Sequence, residues 1–219
     1  MAINKKIIFL LLIVVIIAGL LFIVVMKKTF NITIRHSETP LISDSAVNIP
    51  IDSTDMMFGN PGAPVTLVEF SDISCKPCQK MHYAIKDFVS KNPTKARLIW
   101  KDAPRSTVFT EGDTLAHQAA YCAGKQNKFW QFLDMAMQNP GNLNEAGLKK
   151  IAEGLNLDVT KFWQCANSDE AAQKIQSSLN VAETLGIKNL PAVFIDNRQI
   201  NADTDIDIQK LINEYTSQQ

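Results

Sequence analysis

The chain has 219 residues, 46% hydrophobic, with 22 basic and 22 acidic side chains and four cysteines, enough for one domain plus an appendage. Ile7 to Met26 is a run of 20 residues without a charge; at about 1.5 Å per residue it matches the roughly 30 Å hydrocarbon layer of a bilayer, so a wholly soluble chain is excluded unless this run is removed. Without Lys5, Lys6, Lys27 and Lys28 the basic count falls from 22 to 18 against 22 acids, and a mildly acidic domain excludes a nucleic-acid partner.

The apolar run exceeds the core of a secretory signal and lacks a small-x-small cleavage site, so residues 1–28 read as an uncleaved membrane anchor with its flanks. The flanks do not fix its orientation, because Lys5 and Lys6 face Lys27, Lys28 and Arg35. Residues 29–57 read as a flexible tether, since Ser37, Pro40, Ser43, Asp44, Pro50, Asp52 and Ser53 interrupt every apolar run. Asn31-Ile32-Thr33 fits a glycosylation acceptor, a triplet too common to carry weight.

The folded domain is expected over 58–219. Val65 to Phe70 is a short β-branched run with the pattern of a central strand. Cys78, Met81, Ile85 and Phe88 then mark one face of a helix from about Cys75 to Ser90, with Pro77 tolerated in its first turn. Ala96 to Trp100 is the next strand, completing a βαβ unit. Helical pattern fills about 114–185, with breaks at Gly124, Asn139-Pro140-Gly141, Gly154 and Asn167-Ser168; its Trp130, Phe132, Phe162 and Trp163 read as core. Ala192 to Ile195, a turn, Gln199-Ile200 and an amphipathic pattern from Ile206 to Tyr215 form a closing ββα unit. The order βαβ, helices, ββα predicts an α/β protein: a thioredoxin fold with an inserted helical domain, preceded by one transmembrane helix.

Cys75-Lys76-Pro77-Cys78 sits at a strand-to-helix junction, where a CxxC pair means redox chemistry. Unpaired N–H groups and the positive dipole end of the helix favour the Cys75 thiolate, which makes Cys75 the attacking sulfur and Cys78 the resolving one. A zinc half-site would need two further ligands, and attachment of a c-type haem would need His where Gln79 stands. No metal and no cofactor are expected.

From Gly59-Asn60-Pro61-Gly62-Ala63-Pro64-Val65 through Phe70-Ser71-Asp72 into the CxxC, then through Ala119-Ala120-Tyr121-Cys122-Ala123, Lys128-Phe129-Trp130 and Leu190-Pro191-Ala192-Val193-Phe194-Ile195, the sequence resembles the DsbA-like thiol:disulfide oxidoreductases. The resemblance implies a cis Pro191 against the active-site sulfurs, with Lys76, Pro77 and Leu190 facing substrate. It departs from the family's oxidases in carrying proline second in the CxxC dipeptide, and in lacking a glycine near Asn201-Ala202.

Glu69 is a carboxylate within an apolar strand, on the side of Val65 and Leu67 and six residues before Cys75, with Arg97 as its nearest charge partner. It reads as a buried acid that relays protons to the thiols, as the family does at that position, or as an edge-of-sheet salt bridge without function. Cys122 and Cys165 are either a second disulfide, which some family members carry, or two unpaired apolar side chains. His82 and His117 read as helix-surface residues. The function expected is an extracytoplasmic disulfide exchanger, oxidase before reductase, on the inner membrane of a bacterium and facing the periplasm. Its partners would be client proteins with thiols or disulfides, a membrane redox protein that recycles the CxxC, and the bilayer through residues 7–26. The alternative from another class is a non-catalytic assembly protein on the same scaffold.

Overall fold

The computed structural model describes residues 13–26, 42–105, 114–201 and 207–217. Residues 13–26 form helix α1 within a separate unit, residues 1–39; its apolar side chains, such as Val15 at 68%, are exposed. The expected span begins at Ile7, so its first six residues and its lysine flanks lie outside the described residues. Among the described residues no helix is long and apolar enough to cross a membrane.

The second unit, residues 40–219, is built on a six-stranded sheet of β1 (Ile42–Ala46), β2 (Met56–Gly59), β3 (Val65–Ser71), β4 (Ala96–Asp102), β5 (Ala192–Ile195) and β6 (Arg198–Ile200) in the order β1-β6-β5-β3-β4-β2. Helix α2 (Lys76–Lys91) connects β3 to the parallel β4. The insertion comprises α3 (Thr114–Gly124), α4 (Phe129–Gln138), α5 (Glu145–Gly154), α6 (Val159–Ala166) and α7 (Asp169–Thr184), and α8 (Ile208–Ser217) closes the domain. This is the thioredoxin fold with a helical insertion that the sequence predicts.

The central strands are mostly apolar because both faces are covered. On β3, Val65 and Leu67 join Met81, Ile85 and Phe88 of α2 and Leu211 and Ile212 of α8 in one core. Val68 and Phe70 point the other way, to Phe194, Ile99 and Ala182 of α7. The insertion has its own core, with Phe132 and Phe162 fully buried and Trp130 and Trp163 partly so. Its helices end where the breaks fall, and Ser168 caps α7 by accepting from Ala171 N–H at 3.3 Å. Between β5 and β6, Asp196 and Asn197 both have positive φ, 45° and 68°, as a two-residue hairpin turn demands.

The stretch expected as tether differs from that reading. Residues 42–46 and 56–59 are the two edge strands, β1 on β6 and β2 on β4. Residues between them carry Ile49 into the core beside Val68 and Phe70. Asp55, whose side chain is fully buried, accepts from Lys101 and Lys174, each at 2.6 Å, and the Pro50 carbonyl accepts from Lys101 at 2.7 Å. Edge strands need no apolar alternation, so the polar Ser43-Asp44-Ser45 hid β1. Gly59 ends β2 at φ 98°, where a Cβ would stand 2.7 Å from Val89.

Candidate functional site

The site begins where β3 stops. Asp72 folds the chain back through an Asx turn: its Oδ1 accepts from the Ser74 N–H and hydroxyl, both at 2.9 Å, and its carbonyl accepts from Cys75 N–H at 3.2 Å. That turn makes Cys75 the N-cap of α2, its sulfur accepting from Cys78 N–H at 3.2 Å, and the two cysteines form a disulfide. Cys75 is half-buried and Cys78 fully buried, while Lys76 and Pro77 are exposed. No acidic residue stands in the first turn of α2, so the helix terminus and Lys76 both favour negative charge on the exposed sulfur.

The Leu190–Pro191 peptide bond is cis. Ala192 pairs with Phe70, so Pro191 lies level with the end of β3 from which Cys75 follows. Leu190 is half-buried, and its carbonyl lies 3.5 Å from the Arg105 guanidinium, whose own backbone N–H donates to Asp72 Oδ2 at 3.1 Å.

Around Glu69 the structure corrects two sequence readings. Glu69 is fully buried, but Arg97 is not its partner: Arg97 donates to the Thr66 hydroxyl at 3.0 Å and to the Pro61 carbonyl. Arg97 pairs with Thr66 in register, which places its side chain on the opposite face from Glu69. The partner is His82, whose Nδ1 lies 2.9 Å from Glu69 Oε2; far from being on the helix surface, it is fully buried. Its Nε2 faces Asp134 Oδ1 of α4 at 3.7 Å, and Lys86 binds the other oxygen of Asp134. Burial opposes the imidazolium, yet Glu69 and Asp134 outweigh it and raise the His82 pKa to about 9.

His117 is a third correction, not on the helix surface but 1% exposed on α3. Its Nδ1 lies 2.8 Å from Asp102 Oδ1, and its Nε2 is 3.6 Å from Asp72 Oδ1 and 3.3 Å from Ile73 N–H. Burial again opposes the charge, and Asp102 and Asp72 together raise its pKa to about 9. Burial works against the Asp72 carboxylate, but His117 and the N–H groups of Ser74 and Arg105 bring its pKa down to about 2. Trp100 separates the two histidines, edge-on to His82 at 5.4 Å and stacked toward His117 at 6.4 Å. Its indole N–H donates to Asp102 at 2.8 Å.

Sequence reasoning missed Asp72, Asp102, Asp134 and both histidines. The signal for His82 was present: it lies four residues from Cys78 on the face that carries Met81, Ile85 and Phe88. For His117 it was the run of alanines around it, which lets α3 sink into the core.

Cys122 of α3 and Cys165 of α6 are joined as a disulfide. No cluster of three or more metal-ligating side chains occurs among the described residues.

The arrangement can carry dithiol–disulfide exchange: one reachable sulfur at a helix N-terminus, one buried a helical turn before the His82 that pairs with Glu69, and a cis-proline loop at the same end of the sheet. A family model described as thioredoxin matches residues 52–214, and the chain belongs to that family. A thioredoxin-like oxidoreductase from Silicibacter pomeroyi is similar in structure, with TM-score 0.65 and 25% identity over 76% of this chain and 94% of that one. The probable disulfide bond formation protein D of Bacillus anthracis is 25% identical over 70% of this chain and 75% of its own length. The Na(+)/H(+) antiporter NhaA 1 of Salinispora arenicola is 28% identical over 73% of this chain, which spans about a quarter of its length (24%).

Proposed function

We propose that this protein is a membrane-anchored thiol:disulfide oxidoreductase, working outside the bacterial cytoplasm as an oxidase of client proteins. The observation that carries the reading is the placing of the CxxC: Cys75 caps α2 and is half-buried, while Cys78 is fully buried behind it. A client thiolate attacks Cys75 Sγ and Cys78 leaves. A second client thiolate then attacks the client sulfur of the mixed disulfide, which leaves the client oxidised and Cys75 and Cys78 reduced. No cofactor enters the cycle, and a membrane redox partner restores the disulfide.

Oxidase is favoured over reductase because the first turn of α2 has no acid and carries Lys76 beside Cys75. A stabilised thiolate makes the reduced enzyme the favoured form. Glu69 acts on the thiol pair from below, Pro191 and Leu190 receive the extended client segment, and Lys76 and Pro77 line its approach. Anchoring by residues 7–26, with residues 29–41 as spacer, is supported by the uncharged run. An oxidising compartment is supported by the second disulfide and by the relative named for disulfide bond formation.

The deciding experiment is the redox potential of Cys75–Cys78 against glutathione. A value well above that of thioredoxins fits an oxidase, a value in their range makes the protein a reductase, and no exchange leaves the non-catalytic scaffold. Alkaline phosphatase fused after Gln219 should be active; an inactive fusion would put the CxxC in a reducing compartment.

A further inference from the structure

When a client opens the Cys75–Cys78 bond, Cys78 leaves with the electron pair at a site that has no exposure to water. A thiolate there would be buried one helical turn from the His82 that holds the fully buried Glu69 carboxylate, and buried negative charges without a counter-charge are strongly disfavoured. The cation that resolves this is on the same helix face: His82 follows Cys78 by one turn, is equally buried, and holds Glu69 Oε2 through Nδ1 at 2.9 Å.

Three buried atoms of this group have no hydrogen-bond partner: Glu69 Oε1, His82 Nε2 and Asp134 Oδ1. The last two face each other across 3.7 Å, and the Asp134 side chain is 29% exposed. They form a line from Glu69 through His82 to the partly exposed Asp134 side chain, flanked by Trp130 stacked on His82 at 6.0 Å and Trp100 edge-on at 5.4 Å. We infer that His82 is a positioning residue of the exchange: through Glu69 it holds the proton that Cys78 takes up on leaving, and Asp134 is where that proton is replaced from solvent. The inference rests on the reading of the protein as a disulfide exchanger.

The step balances. The client thiolate forms a bond to Cys75 Sγ as the Cys75–Cys78 bond breaks; the Glu69–His82 pair gives one proton to Cys78 Sγ and is left as carboxylate and neutral imidazole. A proton from water then recharges the imidazole by way of Asp134. The charged and titratable groups facing His82 are Glu69 of β3, Asp134 of α4, and Lys86 and Tyr83 of α2. Glu69 and Asp134 favour the imidazolium, and Lys86 opposes it.

The test is the rate at which reduced glutathione opens the disulfide, expressed per glutathione thiolate, from about pH 5 to 10. In the wild type this rate should fall as pH passes about 9, where the pair loses its proton. His82→Gln keeps a hydrogen-bonding group for Glu69 but not the proton, so it should be at least about tenfold slower at pH 7 and lack the alkaline fall. Asp134→Asn keeps the Glu69–His82 bond and should move the fall to lower pH; it decides the matter alone if His82→Gln does not fold. A wild type in which glutathione opens Cys75–Cys78 no faster than Cys122–Cys165 would overturn the exchange reading itself. A wild type that exchanges, with both variants matching its rate and its alkaline fall, would overturn the role of His82 only.

Discussion

Cys75–Cys78 and Cys122–Cys165 are the same covalent bond in two settings. Each has one buried and one half-buried cysteine, but the first spans three residues at a helix N-terminus, while the second spans 43 and ties α3 to α6. A short loop constrains the unfolded chain little, and an exposed sulfur facing backbone N–H groups is open to attack. A long loop closed among apolar helices constrains it much and offers no favoured thiolate. Chain separation and local charge, rather than the bond, set what each disulfide does.

The comparison breaks most sharply by mutation. Cys75→Ser should abolish disulfide exchange, whereas Cys78→Ser should accumulate mixed disulfides, read as adducts on non-reducing gels. Adducts on Cys75→Ser instead would exchange the two roles. His117→Asn comes next: it leaves Asp72 and Asp102 buried with their cation removed, and should cost about 3 to 5 kcal/mol in denaturant unfolding. An effect under about 1 kcal/mol would mean those carboxylates are protonated or hydrated.

Replacing Cys122 and Cys165 together with Ala should lower stability by about 3 to 4 kcal/mol while leaving exchange by Cys75 within about twofold of wild type. A matching loss of exchange would erase the distinction between the two bonds. The smallest effect is on pH. His82 and His117 have folded pKa values of about 9 against 6.5 unfolded, so their stabilisation is complete below 6.5 and lost as pH rises through about 9. Asp72, at about 2 against 3.8, stabilises above 3.8 and ceases to do so as pH falls through about 2. Thermal unfolding should therefore be highest between about pH 4 and 6.5 and fall toward pH 10, less steeply in His117→Asn.

The fold was legible because its central strands and helices carry clean periods: Val65 to Phe70 reads as a strand covered on both faces, and Met81, Ile85 and Phe88 mark the inward face of α2. The cysteine pair was legible from local sequence, and the cis Pro191 from the family resemblance. What sequence did not disclose was everything set by tertiary neighbours. Glu69 was recognised as buried, but its partner lies 13 residues on, reached across a strand-to-helix turn rather than in the neighbouring strand. His117 finds Asp72 and Asp102 only once α3 lies against the sheet. Edge strand β1 escaped because its pattern is that of a solvated loop, and β2 because its four residues are too short a run to read as a strand without β4.

That distance has a consequence for how the chain assembles. Ile42 pairs with Ile200, so the first strand of the sheet waits for nearly the last. On a ribosome, β1 has no partner until Arg198–Ile200 has emerged, and the contact joins residues more than 150 apart. The sheet centre can form earlier, from β3, α2 and β4, which are adjacent in the chain. In the interval β1 is an unpaired strand, and its Ser43-Asp44-Ser45 composition, the feature that conceals it in the sequence, keeps it from pairing with another nascent chain.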